Sequence, residues 1–108
     1  RAVGEATMNA VYPDARNPFA HPSLLDDEGL EPWVVPQVWL MASPRADHHV
    51  DVTDVVDRKL DALRAHASQT GHMDDLDAFV RSWMEAAAAD VGLPAGRLVE
   101  RFQVVDLP

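Results

Sequence analysis

The 108-residue chain contains no cysteine and few basic residues, and both facts limit the reactions and partners that the chain can have. Without cysteine there is no disulfide, no thiolate nucleophile and no cysteine-ligated zinc. Nine Lys and Arg residues against 18 Asp and Glu give a formal charge of -9. This charge argues against nucleic acid or a membrane surface as partner, because no basic stripe could neutralise phosphates. No apolar run is long enough to span a bilayer and no signal-peptide pattern opens the chain, which predicts a cytoplasmic protein.

The residues that are present are typical of a soluble globular domain. Apolar residues make up 47% and charged residues 25% of the chain, so global disorder is not expected. The length fits one small domain. The helical pattern is already under way at the first residues, which predicts a chain cut inside an element.

The first part of the chain contains a helix, an irregular segment and a strand. Apolar spacing predicts a helix over Ala2–Val11. The segment from Tyr12 to Pro36 holds five of the eight prolines and shows no periodicity; a binding or covering segment and a surface connector are both open. The run Gln37–Ser43 predicts a strand covered on both faces, as in a parallel sheet. The following residues, PRADHH, predict a loop.

The second part predicts two helices and a closing strand. Asp51 or Thr53 is expected to cap a helix with a buried stripe of Val56, Leu60, Leu63 and Ala67. A second helix is predicted over Asp74–Val91, ended by a glycine, with an apolar face of Leu76, Phe79, Val80, Trp83, Ala87 and Val91. Trp39 and Trp83 are predicted to lie in the core. A last strand is expected over Glu100–Leu107, and the whole order indicates an α/β fold.

The candidate chemical groups have simpler explanations than catalysis. Neighbouring His48 and His49 are poor co-ligands if the chain is extended, because their side chains then point to opposite faces. One of them could bind a metal ion together with Asp51. The favoured interpretation is that both are solvent-exposed loop histidines that bind no metal. His66 is expected to be structural, and the acidic run Asp26–Glu28 to be a solvated charge run.

A pattern of residues from His48 to Gln69 carries a specific resemblance. It contains H-x-V-D-V-T and then D-x-K-x-x-A-L-x-x-H-x-S-Q. This segment resembles the C-terminal part of the LmbE-like/PIG-L family of zinc-dependent de-N-acetylases, which includes mycothiol-pathway deacetylases and amidases. Asp47 stands where that family usually has Asn. The opening RAVGEATMNAVYPDARNP is similar to the family's helix after its histidine-rich zinc motif, and ERFQVV to its closing strand.

The resemblance implies that residues 1–108 are the C-terminal part of a single deacetylase domain whose N-terminal half is absent. The implied fold is a Rossmann-like, mostly parallel sheet flanked by helices. It also implies zinc in the intact parent protein, with ligands and catalytic base on HPDD-type and HxxH motifs upstream of Arg1. No catalytic or metal-binding residue is therefore assigned here. Arg45, His48 and His49 are predicted to contact substrate, because ligands bind beyond the carboxyl ends of strands in open α/β sheets.

The expected function is that of part of a zinc-dependent hydrolase. The intact enzyme would remove an N-acyl group, N-acetyl above all, from an amino-sugar conjugate or related amide, while this chain alone is expected to be inactive. Its expected partners are that small molecule and the N-terminal half of the same domain, and a homo-oligomer is left open. The alternative is a non-enzymatic acidic protein-interaction module that shares the helix pattern.

Overall fold

The computed structural model describes residues 2–108 and contains five helices and three strands. The helices are α1 (Ala2–Val11), α2 (Pro22–Asp26), α3 (Val56–Ala65), α4 (Ala67–Thr70) and α5 (Leu76–Asp90). The strands are β1 (Gln37–Met41), β2 (His48–Asp51) and β3 (Val99–Asp106), and single 3-10 turns lie at Asp14–Arg16 and Thr53–Val55. None of the helices formed by residues 2–108 is long and apolar enough to cross a membrane.

Helix α5 shows why local signals predicted its ends well. Asp75 caps its start by accepting a hydrogen bond from the backbone N–H of Ala78 at 2.9 Å. At its end Gly92 has a φ of 77°, the left-handed conformation that glycine adopts without strain. The N–H of Leu93 donates to the carbonyl of Ala88 at 3.0 Å, which completes a Schellman motif. The predicted helices α1 and α5 and the closing strand β3 are confirmed to within about two residues at each end.

The helix predicted after Thr53 is shorter than expected. It ends at Ala65, because His66 leaves the helical region with φ −87° and ψ 52°. The hydroxyl of Thr70 donates to the carbonyl of Leu63 at 3.0 Å, which satisfies an acceptor freed by that break. Ala67 was predicted in the buried stripe and is exposed instead. The predicted cap is also wrong, since a 3-10 turn precedes α3 and no side chain caps its first turn.

The strands form a small antiparallel sheet in the order β1-β3-β2. In the pairing of β2 with β3, His48 lies opposite Phe102 and Asp51 opposite Val99. The mixed α/β class is confirmed, whereas the described strands do not form the expected parallel sheet. The predicted loop is also corrected at its end, since His48 and His49 belong to β2. This four-residue strand has a single apolar residue, and its partner lies about 50 residues away, so local pattern could not reveal it.

The chain divides into two compact units, and the core belongs to the second. The second unit spans Leu40–Val104. Helices α3 and α5 meet there around five buried side chains, namely Val56, Leu60, Val80, Met84 and Leu98. The first unit comprises the chain up to Trp39 together with Val105–Pro108. Among its described residues no side chain is fully buried, and its proline-rich segment is irregular apart from short helical turns.

Several large apolar side chains predicted to lie in the core are exposed. Trp39 is 44% exposed and Trp83 is 63% exposed. Strand β1 alternates exposed and half-buried residues, so the expected cover on both faces is lacking among the described residues. Helix α5 buries Val80, Met84 and Ala88 and leaves Phe79 beside Trp83 in solvent. Both sets of residues follow the helical period, so the period alone could not identify the buried face.

Candidate functional site

The three residues predicted to contact substrate lie on the connection from β1 to β2 and on β2 itself. Arg45, His48 and His49 are all exposed. The loop that carries Arg45 is held in place by Ser43. The Ser43 hydroxyl accepts a hydrogen bond from the Arg45 N–H at 3.2 Å and donates one to the side-chain carbonyl of Gln103 at 2.7 Å. The loop therefore has a fixed base on β3 while the guanidinium remains open to solvent.

The two histidines do not converge on one point. They are consecutive residues of β2, and successive side chains of a strand point to opposite faces. His48 shares a face with Val50, and His49 shares the other face with Asp51. A ligand lying on one face of β2 would therefore meet one histidine and not the pair.

The start of β2 is joined to β3 by both the backbone and the side chain of Asp47. The Asp47 N–H donates to the carbonyl of Phe102 at 3.0 Å. In return, the N–H of Val104 donates to Asp47 Oδ1 at 2.9 Å. An Asn at this position would offer a similar acceptor oxygen.

The end of β2 is joined to the two residues before β3 by a network around Asp51 and Thr53. The Asp51 carboxylate accepts hydrogen bonds from the Thr53 hydroxyl at 2.6 Å and the Thr53 N–H at 3.0 Å. It also accepts one from Arg97 Nε at 2.7 Å. These Thr53 bonds, followed by Arg97, hold the pKa of Asp51 below its ordinary value. The Thr53 hydroxyl oxygen in turn accepts from the N–H of Leu98 at 3.0 Å.

The second unit contains a groove beside α5, β3 and the connection from β1 to β2, which is called the α5 groove below. It has a volume of about 670 Å³. Its apolar lining includes Met41, Pro44, Trp83, Ala87 and Phe102. Its charged lining consists of two ion pairs, Lys59 with Glu100 and Arg101 with Asp90. Because each charge has an opposite partner, the groove has an apolar rather than an ionic character.

The residues that are described do not fit a zinc site. Residues 2–108 contain no group of three or more His, Asp or Glu side chains placed to hold a metal ion. His66 has an exposed side chain, while its backbone carbonyl accepts from the N–H groups of Gln69 and Thr70. No chemical step is therefore assigned to zinc on these residues, and the expectation that its ligands lie upstream stays a prediction.

The sequence did not reveal that Asp47 bonds to β3 or that Thr53 bonds to Leu98, the residue before β3. The short spacing in D-x-T is typical of a local turn in which the aspartate accepts from the residue two positions on, and that part could be read. The partners Val104 and Leu98 lie 57 and 45 residues away, so nothing local identifies them. Comparison of the chain with protein-family models, with curated proteins and with solved structures found no match.

Proposed function

We propose that the chain is the C-terminal part of a zinc-dependent hydrolase of the LmbE-like/PIG-L type. The parent protein, meaning the longer chain that this proposal implies, removes an N-acyl group, N-acetyl above all, from an amino-sugar conjugate or related amide. The proposal starts from the pattern between His48 and Gln69. The observation in the structure that carries it is the exposed aromatic face of α5 beside the α5 groove.

That face is unusual for a self-contained domain. Phe79 is 59% exposed and Trp83 63% exposed, on a helix whose other side is fully packed. Leaving a large apolar side chain in water forfeits roughly 1.5–3 kcal/mol, and whole domains are stable by only about 5–15 kcal/mol. A helix with two apolar faces is expected between two layers of structure. In the proposal, the N-terminal half of the domain supplies the second layer.

The antiparallel sheet is compatible with the proposed fold. Large sheets that are mostly parallel commonly carry antiparallel strands at an edge. In the proposal the parallel, Rossmann-like strands belong to the upstream half, and β1, β3 and β2 form its antiparallel edge. Residues of the resemblance contact β3 and the segment before it, since Asp51 and Thr53 bond to Arg97 and Leu98, and Lys59 pairs with Glu100.

In the proposal, the upstream half of the domain hydrolyses the amide bond, and this chain helps to bind the substrate. Bound zinc would activate water for attack on the amide carbonyl. The residues of this chain bind and orient the substrate. The Arg45 guanidinium can donate several hydrogen bonds to sugar oxygens, and an exposed imidazole of His48 or His49 can donate or accept one. Their exposure leaves them accessible to a ligand.

The reading frame upstream of Arg1 tests this proposal directly. The proposal expects an HPDD-type motif and an HxxH motif that ends just before Arg1. A gene that encodes neither motif would remove the basis for a hydrolase. Fusing the upstream residues to this chain is the matching biophysical test, since cooperative unfolding should appear only in the longer protein.

The alternative function is a non-enzymatic acidic interaction module. The exposed aromatic side chains favour it, because exposed apolar patches mark surfaces that bind protein partners. The two proposals differ in what the isolated chain does. A monomer with a sharp, concentration-independent thermal transition supports the module, whereas an associated or molten chain that the upstream half rescues supports the hydrolase.

A further inference from the structure

We infer that Asp47 is a positioning residue whose side chain fixes the register of β2 on β3 and thereby the placement of His48. The inference concerns the pairing of two strands and stands on the hydrogen bonds of the second unit. Its consequence for catalysis rests on the proposed function, in which His48 contacts the substrate.

Strand β2 is too short to fix its own register. It has four residues, and Val50 is the single apolar one. Register is strongly specified where a strand buries one face, and a slip of one residue turns every side chain to the opposite face. Since three of the four residues of β2 are exposed, its burial pattern gives little resistance to such a slip.

Side chains extend the ladder beyond both ends of this strand. Beyond the last residue of β2, the backbone N–H of Val52 still donates to the carbonyl of Leu98 at 2.9 Å, whereas the N–H groups of Leu98 and Val104 donate to side chains. Their acceptors are the hydroxyl oxygen of Thr53 and the carboxylate of Asp47, at 3.0 and 2.9 Å. Each side chain therefore replaces a carbonyl that a longer strand would have supplied. Any shift along β3 would break both of these bonds.

The two ends differ in how strongly they are held. At the far end, the Asp51 carboxylate accepts from the Thr53 hydroxyl and from Arg97, and the Val52 N–H donates to the Leu98 carbonyl. At the near end, Asp47 is the residue that contacts β3 through both its N–H and its side chain, and it immediately precedes His48. Loss of the Asp47 acceptor should therefore disturb His48 first and leave the far end of β2 in place.

The acceptor oxygen, rather than the negative charge, is what this role requires. Asp47→Ala removes the oxygen and leaves the Val104 N–H without its partner. Asp47→Asn keeps an oxygen on a side chain of the same length and removes the charge. The pair of variants separates a hydrogen-bonding role from a purely electrostatic one. Asp74→Ala is the matched control, because Asp74 is an exposed aspartate in a turn of the same unit.

The experiment measures amide hydrogen exchange at Val104 and Phe102 by NMR in the parent protein. One hydrogen bond of this kind typically changes a local equilibrium by about two- to tenfold, so Asp47→Ala should accelerate exchange at Val104 by that factor. Asp47→Asn and Asp74→Ala should exchange at the wild-type rate. With an N-acetyl amino-sugar conjugate, Asp47→Ala should also raise KM more than it lowers kcat, with zinc content unchanged and KM restored in Asp47→Asn.

The inference is overturned if Asp47→Ala exchanges like the wild type at Val104, or if Asp47→Asn behaves like Asp47→Ala. Should Asp47→Ala fail to fold, the amide proton of Val104 in the wild type decides instead. It must exchange more slowly than an amide that donates only to water, and an unprotected Val104 amide would refute the contact. A wild-type protein that hydrolyses nothing removes the proposed function, while the exchange rates at Val104 still decide the role of Asp47.

Discussion

Trp83 should contribute much more to the stability of the parent protein than its surroundings in this chain explain. It is 63% exposed on α5, so more than half of its surface has no cover among the described residues. Complete removal of a buried Trp side chain costs about 3–5 kcal/mol. If the upstream half covers the exposed 63% of Trp83, removing the side chain should cost the parent protein about 2–3 kcal/mol more free energy of unfolding than its surroundings in this chain explain.

The assay is urea unfolding of the parent protein followed by far-ultraviolet circular dichroism, which does not depend on the substituted tryptophan. Trp83→Ala should lower the free energy of unfolding by at least about 2 kcal/mol. Glu85→Ala, at an exposed position of the same helix, is the control and should stay within about 0.5 kcal/mol of the wild type. If Trp83→Ala is as mild as Glu85→Ala, nothing covers α5 and the reasoning fails.

Three further predictions concern acid stability, substrate contact and metal content. Because hydrogen bonds lower the pKa of Asp51 in the folded state, its contribution to stability is present above its unfolded pKa and is lost as the pH falls through the folded value. The Asp51→Asn variant should therefore lose less free energy of unfolding than the wild type as the pH is lowered, as measured by urea unfolding at several pH values. Equal losses in the two proteins would contradict this. His48→Ala in the parent protein should lower kcat or raise KM at normal zinc content; unchanged kinetics would reduce His48 to a solvated position. The isolated chain should hold no stoichiometric zinc after dialysis against a weak chelator, and tightly bound zinc would refute that expectation.

The parts of the fold that could be predicted are those whose causes are local. Helix α5 carries its own start and stop signals in Asp75 and Gly92, and its predicted ends agree with the structure. Strand β2 has no such signals, because its hydrogen-bond partners on β3 are remote in sequence. The apolar run in β1 predicted a strand correctly, but the run could not reveal that its neighbour is antiparallel or that Trp39 is exposed.

The candidate site shows the same division between local and remote causes. Arg45 and the two histidines were expected in the loop after β1; Arg45 lies there, whereas His48 and His49 lie on β2, and all three are exposed. Their substrate contacts remain a prediction. The role of Asp47 could not be predicted, because it depends on the Val104 N–H across the sheet. Only the strand pairing shows what the Asp47 side chain contacts.

Acetate release by the parent protein from an N-acetyl amino-sugar conjugate decides whether the protein is a zinc-dependent deacetylase. The protein is assayed as purified, after removal of metal by a strong chelator, and after readdition of zinc. We expect acetate release that is lost with the metal and restored by zinc, because bound zinc would activate the attacking water. A folded parent protein that binds zinc and releases no acetate or other acyl acid from such conjugates or from related amides would contradict it.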